Sequence, residues 1–432
     1  MDIPIDLCQN VLILLNLKSQ INFISTSIFF YQYLYIKNLA EIDKKFLMAL
    51  SDDILCQHKF SQVTRLNGTN NNNVTSVNHM KYLQYLDASG ASGINQSGID
   101  GLNLLELNAS NNSKIYYIRK MKKMTKLNAS GYFCGIDQWG ILELNLTELN
   151  ISENIRIYDV SYMTNLLKLH ASENNFYQKN DIFRGITQQC LNKLNLIELS
   201  IKNNTNIYNI QHMNNLKKLS VGGISHCFSE DGAEGLDLIE LYIDVFTKIN
   251  NIASMKNLRI LNIDANANVK QEDIQNLDLI ELSVSHNSEI YDITHMTNLK
   301  VLHAKGSCGI SQSNIMNLDL ILLNVNDNNK LTDISHMTNL QHLFIRGSSG
   351  IGQKSINNLN LISLDASSNS KITSVSHMSN LTTLTATDKC GINQKGIQNL
   401  NLIELNITNN NKIYNYAHLT KLQTLINSTN IY

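Results

Sequence analysis

LKVLHAKGSCGISQSNIMNLDLILLNVNDNNKLTDISHMTN, residues 299–339, begins again at Leu340 as LQHLFIRGSSGIGQKSINNLNLISLDASSNSKITSVSHMSN and again at Leu381 as LTTLTATDKCGINQKGIQNLNLIELNITNNNKIYNYAHLTK. The period is 41 residues, and each period holds two related halves. Both halves open with Leu-x-x-Leu-x-(Ala/Val/Ile), as in Leu299, Leu302 and Ala304, or Leu402, Leu405 and Ile407. The second leucine of this signature recurs at 66, 86, 107, 127, 149, 169, 199, 219, 241, 261, 282, 302, 323, 343, 364, 384, 405 and 425, in steps nearly all of 20 to 22 residues. Self-similarity at that period marks a solenoid in which each coil adds one short strand and touches only its neighbours. Strand side chains alternate, so positions 4 and 6 of a coil, counted from its first leucine, point inward, while 3, 5 and 7 face the open concave side. Position 6 is Ala, Val or Ile from Ala88 to Ile407 and departs only at Gly68 and Asn427. A polar Asn427 at an inward position predicts that the stack ends there, with no catalytic domain beyond.

The run Leu402, Leu405, Ile407, Asn410, Ile413 resembles the leucine-rich-repeat family. The other half, Cys390-Gly391-Ile392 followed by Gly396-Ile397-Gln398-Asn399-Leu400, resembles its cysteine-containing subclass. The resemblance covers residues 63–432 and implies an α/β fold class: a leucine-rich-repeat solenoid of about 18 coils, with a parallel β-sheet on its concave face.

A net charge of -1 gives no pull toward nucleic acid or an anionic membrane. Cys134, Cys308 and Cys390 each precede Gly-Ile, where Ser92 and Ser349 stand in other coils. Cys308 and Cys390 lie four coils apart, roughly 19 Å at about 4.8 Å per strand, whereas a disulfide needs Cα atoms within about 7 Å. They read as small residues at a tight buried turn in a reducing compartment. The acidic start (Asp2, Asp6) lacks the basic region of a secretory signal. Ser19 to Ile36 is free of charge over 18 residues, near the length of a membrane span, but Gln20, Asn22, Gln32 and four Ser/Thr interrupt it. The expectation is a cytoplasmic protein with no membrane partner.

Ahead of the repeats, the only proline, Pro4, opens a helical stripe of Leu7, Val11, Leu12 and Leu15. Three short helices in about 45 residues bury little by themselves and need a neighbour or a partner. Ile3-Pro4-x-Asp6-Leu7-x-x-x-Val11-Leu12-x-x-Leu15, with Ser27 and Phe30 later, resembles an F-box. It departs from the usual pattern at Leu17 (commonly Pro), Ser19 (commonly Asp) and Thr26 (commonly Val). The resemblance implies that Ile3, Pro4, Leu7, Val11, Leu12, Leu15 and Ile21 dock a Skp-type adaptor of a cullin ubiquitin ligase. The expected organisation is an F-box-like α-helical domain at 1–45, a capping helix within Glu41–Cys56 that links it at 46–62, and the solenoid at 63–432. The pairing, with its AT-rich residue usage, resembles the F-box/leucine-rich-repeat proteins of giant viruses of amoebae; for a viral chain the compartment would be the host cytoplasm.

Within the coils, Asn at position 9 (Asn112, Asn154, Asn204, Asn287, Asn328, Asn369, Asn410) is expected to satisfy backbone groups that the turn takes out of the ladder. His212, His295, His336, His377 and His418 recur two coils apart, about 10 Å, too far for neighbours to share a metal whose ligands sit at about 2 Å. Neither a phosphate loop nor a nucleophile–base pair is present, so no catalytic residue, metal or cofactor is expected. Bacterial effectors that append a catalytic-Cys ligase domain to such repeats are similar, but with repeats running to the last residues given, no such domain is expected. Between Leu169 and Leu199 the step is 30 residues, predicting a bulging loop around Asn174–Gly185 with Phe176, Tyr177 and Phe183. Position 3 alternates in charge through Glu106, Lys126, Glu148, Lys168, Glu198, Lys218 and Glu240, a predicted ladder of ion pairs. Beyond it the face turns apolar, and Tyr242, Val301, Leu322, His342, Phe344 and Arg346 are the expected partner-binding residues. The reading is a non-enzymatic substrate-recognition subunit of a ubiquitin ligase; the competing reading is an interaction scaffold whose N-terminal helices serve as a cap.

Overall fold

A computed structural model describes residues 5–173, 185–223, 228–266 and 268–427. Each of the eighteen recurring leucines lies in a short strand, and in the described ladders every strand pairs in parallel with the next in sequence. The leucines pair with one another in register: Leu66, Leu86, Leu107 and so on. The chain divides into two units, Met1–Leu216 with Ser225–Cys227, and Lys217–Ile224 with Phe228–Tyr432. In both, the fold is a leucine-rich-repeat solenoid. Position 4 and position 6 side chains fill the interior; Leu302, Ala304, Leu323 and Val325 are wholly buried.

The two halves of the 41-residue period form different connections. One passes through a single helical turn, such as Gln312–Ile315 or Gln353–Ile356. It is reached through the Gly-Ile turn, where a Cβ on Gly309 or Gly391 would collide with the carbonyl oxygen of Ile290 or Ile372 one coil earlier. Close backbone approach therefore requires glycine there. The other connection has no helix and is organised by the position 9 asparagine. Asn112 donates to the carbonyls of Ala88 and Ile94, and Asn369 to those of Ile345 and Ile351. Their amide oxygens accept from the backbone N–H two residues on, as Lys371 donates to Asn369. The expected role of this asparagine is observed.

The recurring histidines close the same joints. Nε2 of His295, His336, His377 and His418 lies 3.1–3.3 Å from the carbonyl oxygen of Ile274, Ile315, Ile356 or Ile397, one coil earlier. A carbonyl only accepts, so Nε2 carries the proton in this contact. Glutamine supplies a third tie that the repeat pattern alone did not disclose. Gln312 donates to the Asp333 carbonyl at 2.7 Å and accepts from the N–H groups of Thr332 and Asp333. Gln96, Gln138, Gln188, Gln271, Gln353 and Gln394 repeat the donation.

At the N-terminus, α1 (Ile5–Ile13), α2 (Leu17–Ile24) and α3 (Ile28–Tyr33) are short helices. Asn16 caps α2 by accepting from the Ser19 N–H, and Ser27 caps α3 by accepting from that of Phe30. A two-residue strand, β1 (Asn38–Leu39), then pairs with β2 (Arg65–Asn67), so the sheet begins ahead of residue 63. The helix expected across Glu41–Cys56 is two, α4 (Lys44–Ala49) and α5 (Asp52–Leu55), because Ser51 turns out of α4 to cap α5. Leu39, Leu47, Leu50 and Leu55 are buried beneath them. Among the described residues no helix is long and apolar enough to cross a membrane.

Candidate binding surfaces

Two surfaces hold the residues singled out by the sequence. The first is the N-terminal helices. Ile3, Pro4 and the side chain of Leu7 lie outside the described residues. Leu12 is only 1% exposed and, with Cys8 and Ile24, makes the small core of the helical segment rather than an outer face. Leu15 turns into a groove shared with Ile42 and Phe46, and Ile21 is half-buried. Val11 is exposed, and it has company that the motif did not name: Leu14 at 84%, Ile28 at 79%, and Phe29 and Tyr33, whose rings lie 4.9 Å apart. Helical spacing locates the apolar face, but which side of so short a helix stays open depends on what packs behind it. Here Gln9 decides it, exchanging two hydrogen bonds with the backbone of Tyr35 at 2.9 and 3.0 Å and drawing α1 down on one side.

The second surface is the solvent-facing side of the sheet. In the first unit it is ionic. Lys126 Nζ lies 3.5 Å from Glu106 and 3.4 Å from Glu148, and Lys168 Nζ lies 3.3 Å from Glu148. The position 3 register predicted from sequence is thus observed. These carboxylates hold the Lys126 ammonium above its ordinary pKa. In the second unit Lys218 pairs with Glu240 at 3.1 Å and sits 5.6 Å from the Tyr242 ring centre. The Tyr242 hydroxyl donates to Glu240 at 3.1 Å. Burial, with that adjacent carboxylate, raises the phenol's pKa.

Farther along the second unit the register brings Val301, Leu322 and His342 side by side in one row, and His303, Asn324 and Phe344 in the next. All six are half-exposed. Burial pushes the His303 imidazole below its ordinary value, so it is neutral at pH 7 and counts with the apolar group. Arg346 stands at the margin, 3.7 Å from Asp365. Tyr242 does not join this patch: its strand lies three steps from that of His303, about 14 Å away, and its ring belongs to the ion cluster. Ile280, Ile321 and Ile362 add exposed apolar area beside position 3. Sequence reading missed them because Lys300 and Gln341 alternate with them. The loop expected at 174–185, with Phe176, Tyr177 and Phe183, falls almost wholly outside the described residues.

The thiols of Cys134, Cys308 and Cys390 are buried, and burial raises their pKa. Among the described residues no group of three or more His, Cys, Asp or Glu side chains could hold a metal. No protein-family model and no curated protein matches the sequence. Solved structures are similar: the functional domain of InlJ from Listeria monocytogenes, described as including a cysteine ladder, is 18% identical over 81% of this chain and 70% of its own, with a TM-score of 0.39. The yeast Rad7–Elc1 complex is 16% identical over 77% and 84%, TM-score 0.42. The TLR13–ssRNA13 complex is 15% identical over 84% and 63%, TM-score 0.38. Likenesses this distant decide nothing about function.

Proposed function

We propose that the chain recruits proteins to a cullin-type ubiquitin ligase, its N-terminal helices holding a Skp-type adaptor and its solenoid holding the protein to be ubiquitylated. The observation that carries this reading is the apolar side chains left in solvent at the end of α1, Val11 and the following Leu14, and on α3, Ile28 and Phe29. Large apolar side chains left in water in such number on one small helical segment mark an interface. Capping does not account for them, because β1, α4 and α5 already cover the first coil. The docking unit lies within residues 1–45, and the recruited protein meets Val301, Leu322, His342 and Phe344. The chain itself supplies no catalysis, and its work is cytoplasmic, in a host cell if the chain is viral.

The second reading is a scaffold with no link to ubiquitin. It is favoured by the inward tie of α1, whose Leu12 is buried and whose Gln9 is hydrogen-bonded to the backbone of Tyr35, as a helix serving the stack would be. Purifying the chain from a eukaryotic cytosol and identifying what accompanies it separates the two. Adaptor and cullin in the eluate support recruitment; a protein partner without either supports the scaffold.

A further inference from the structure

Because the solenoid repeats, each position can be judged against its equivalents, and one coil departs at several positions together. After position 6, the turn into (Cys/Ser)-Gly-Ile reads Ser89-Gly90-Ala91-Ser92, Lys305-Gly306-Ser307-Cys308, Arg346-Gly347-Ser348-Ser349 and Thr387-Asp388-Lys389-Cys390. In the coil of Leu127 it reads Ser130-Gly131-Tyr132-Phe133-Cys134, one residue longer, with two aromatic rings in place of one small or polar residue. The residue after the bridging glutamine is Ser97, Gln189, Glu272, Ser313, Lys354 or Lys395 elsewhere, and here it is Trp139, the only tryptophan of the chain.

These departures converge in space. Tyr132, Phe133, Trp139 and, from the following coil, Tyr158 line one open cavity of about 720 Å³. Phe133 is 70% exposed and Trp139 67%, and the rings of Tyr132 and Phe133 meet edge to face, 5.4 Å apart. Large apolar side chains in water contribute nothing to the core, so packing does not explain Tyr132, Phe133 and Trp139 at places where the coils compared above carry small or polar residues. The same cavity is lined by Asp137, Glu153 and Arg156, two carboxylates against one guanidinium. Ring faces and the surplus carboxylate both favour a positive guest. A guanidinium suits the place best, since its flat face stacks on rings while its edge forks to a carboxylate.

We propose that this cavity is a further protein-docking site, separate from the sheet face and from the N-terminal helices, that receives an arginine side chain of a partner protein. Trp139 reports on it without a label. The intact chain is titrated with the peptide acetyl-Ser-Gly-Arg-Gly-Ser-amide, its citrulline counterpart and cellobiose, while Trp139 emission is followed. The expected result is a saturable change with the arginine peptide, weakened at least about threefold by Glu153→Gln or Phe133→Ser and by citrulline in place of arginine. Phe133→Ser installs the residue found at Ser307 and Ser348, so the coil keeps its fold, as an unchanged circular dichroism spectrum would verify. An equal response to the citrulline peptide, a response to cellobiose alone, or no saturable response to any probe overturns the proposal.

Discussion

The side-chain amide of Asn328 donates to the carbonyl oxygen of Ala304, 2.8 Å away and one coil earlier. Its own oxygen accepts from the Lys330 N–H at 2.9 Å, and the residue is fully buried. Leucine would fill similar space but leave both backbone groups without these partners in the interior. Asn328→Leu should therefore destabilise the chain by roughly 1–3 kcal/mol, read as a lower urea midpoint. The same change at Asn369, held in the same way to Ile345, should match it. Midpoints equal to wild type would mean that leucine packing replaces the hydrogen bonds.

Lys126 supports its strand only while charged. Glu106 and Glu148 raise its pKa above the ordinary 10.5. A raised lysine contributes fully below its unfolded value and loses that contribution as pH rises through the folded one. The contribution is thus present at neutral pH and fades above pH 10.5. With 44% of the side chain exposed, it amounts to no more than about 1 kcal/mol. Lys126→Met should cost that or less at pH 7 in dilute buffer, and nothing in about 1 M salt. A loss unaffected by salt would point to packing of the aliphatic stem instead.

Thiol reactivity should divide the cysteines by burial. Cys56 is exposed, whereas Cys134, Cys308 and Cys390 are buried with raised pKa. Iodoacetamide mapping by mass spectrometry should find Cys56 modified in the native chain and those three only after unfolding. Rapid native labelling of Cys308 would show that its turn opens.

Ser349 occupies the equivalent of Cys308, and its buried hydroxyl has no hydrogen-bond partner. The Cys308 sulfur, by contrast, takes a contact from Asn328 at 3.2 Å. Ser349→Cys should stabilise the chain by about 1 kcal/mol, measured in the same urea series. A destabilised variant would show that the turn is too tight for sulfur.

Much of this was legible in sequence because a solenoid writes its geometry in its period. Leu302, Ala304 and Asn328 recur at fixed spacing, and their roles follow from strand alternation and hydrogen-bond accounting. The Glu106–Lys126–Glu148 ladder follows from the same register. The glutamine ties were not legible: Gln312 opens a four-residue helix, and strand periodicity does not show which backbone groups of the next coil its amide will face. Strand β1 escaped because two residues show no periodicity. Tyr242 joined the apolar patch on composition, yet Glu240 and Lys218 hold it elsewhere, a competition only coordinates reveal. Leu12 reads as a docking residue by motif and as core by packing, so Leu12→Asp would unfold the helices rather than probe the interface.

The sheet patch is tested by Leu322→Asp combined with Phe344→Ala. Both side chains are half-exposed, so the solenoid should remain folded while losing the recruited protein. Affinity capture with wild type and double mutant, compared by quantitative mass spectrometry, checks this. Identical partner sets at equal yield would move recruitment off this face.

The adaptor interface decides the account most directly, through the affinity of the purified chain for a purified Skp-type adaptor, measured by calorimetry for wild type and for Val11→Asp with Leu14→Asp. Both residues are exposed, so the helices should keep their fold. The account predicts one-to-one binding by wild type and a loss of at least about a hundredfold in the double mutant, since each carboxylate would have to be buried against an apolar surface. No binding by wild type, or equal binding by both, would contradict it.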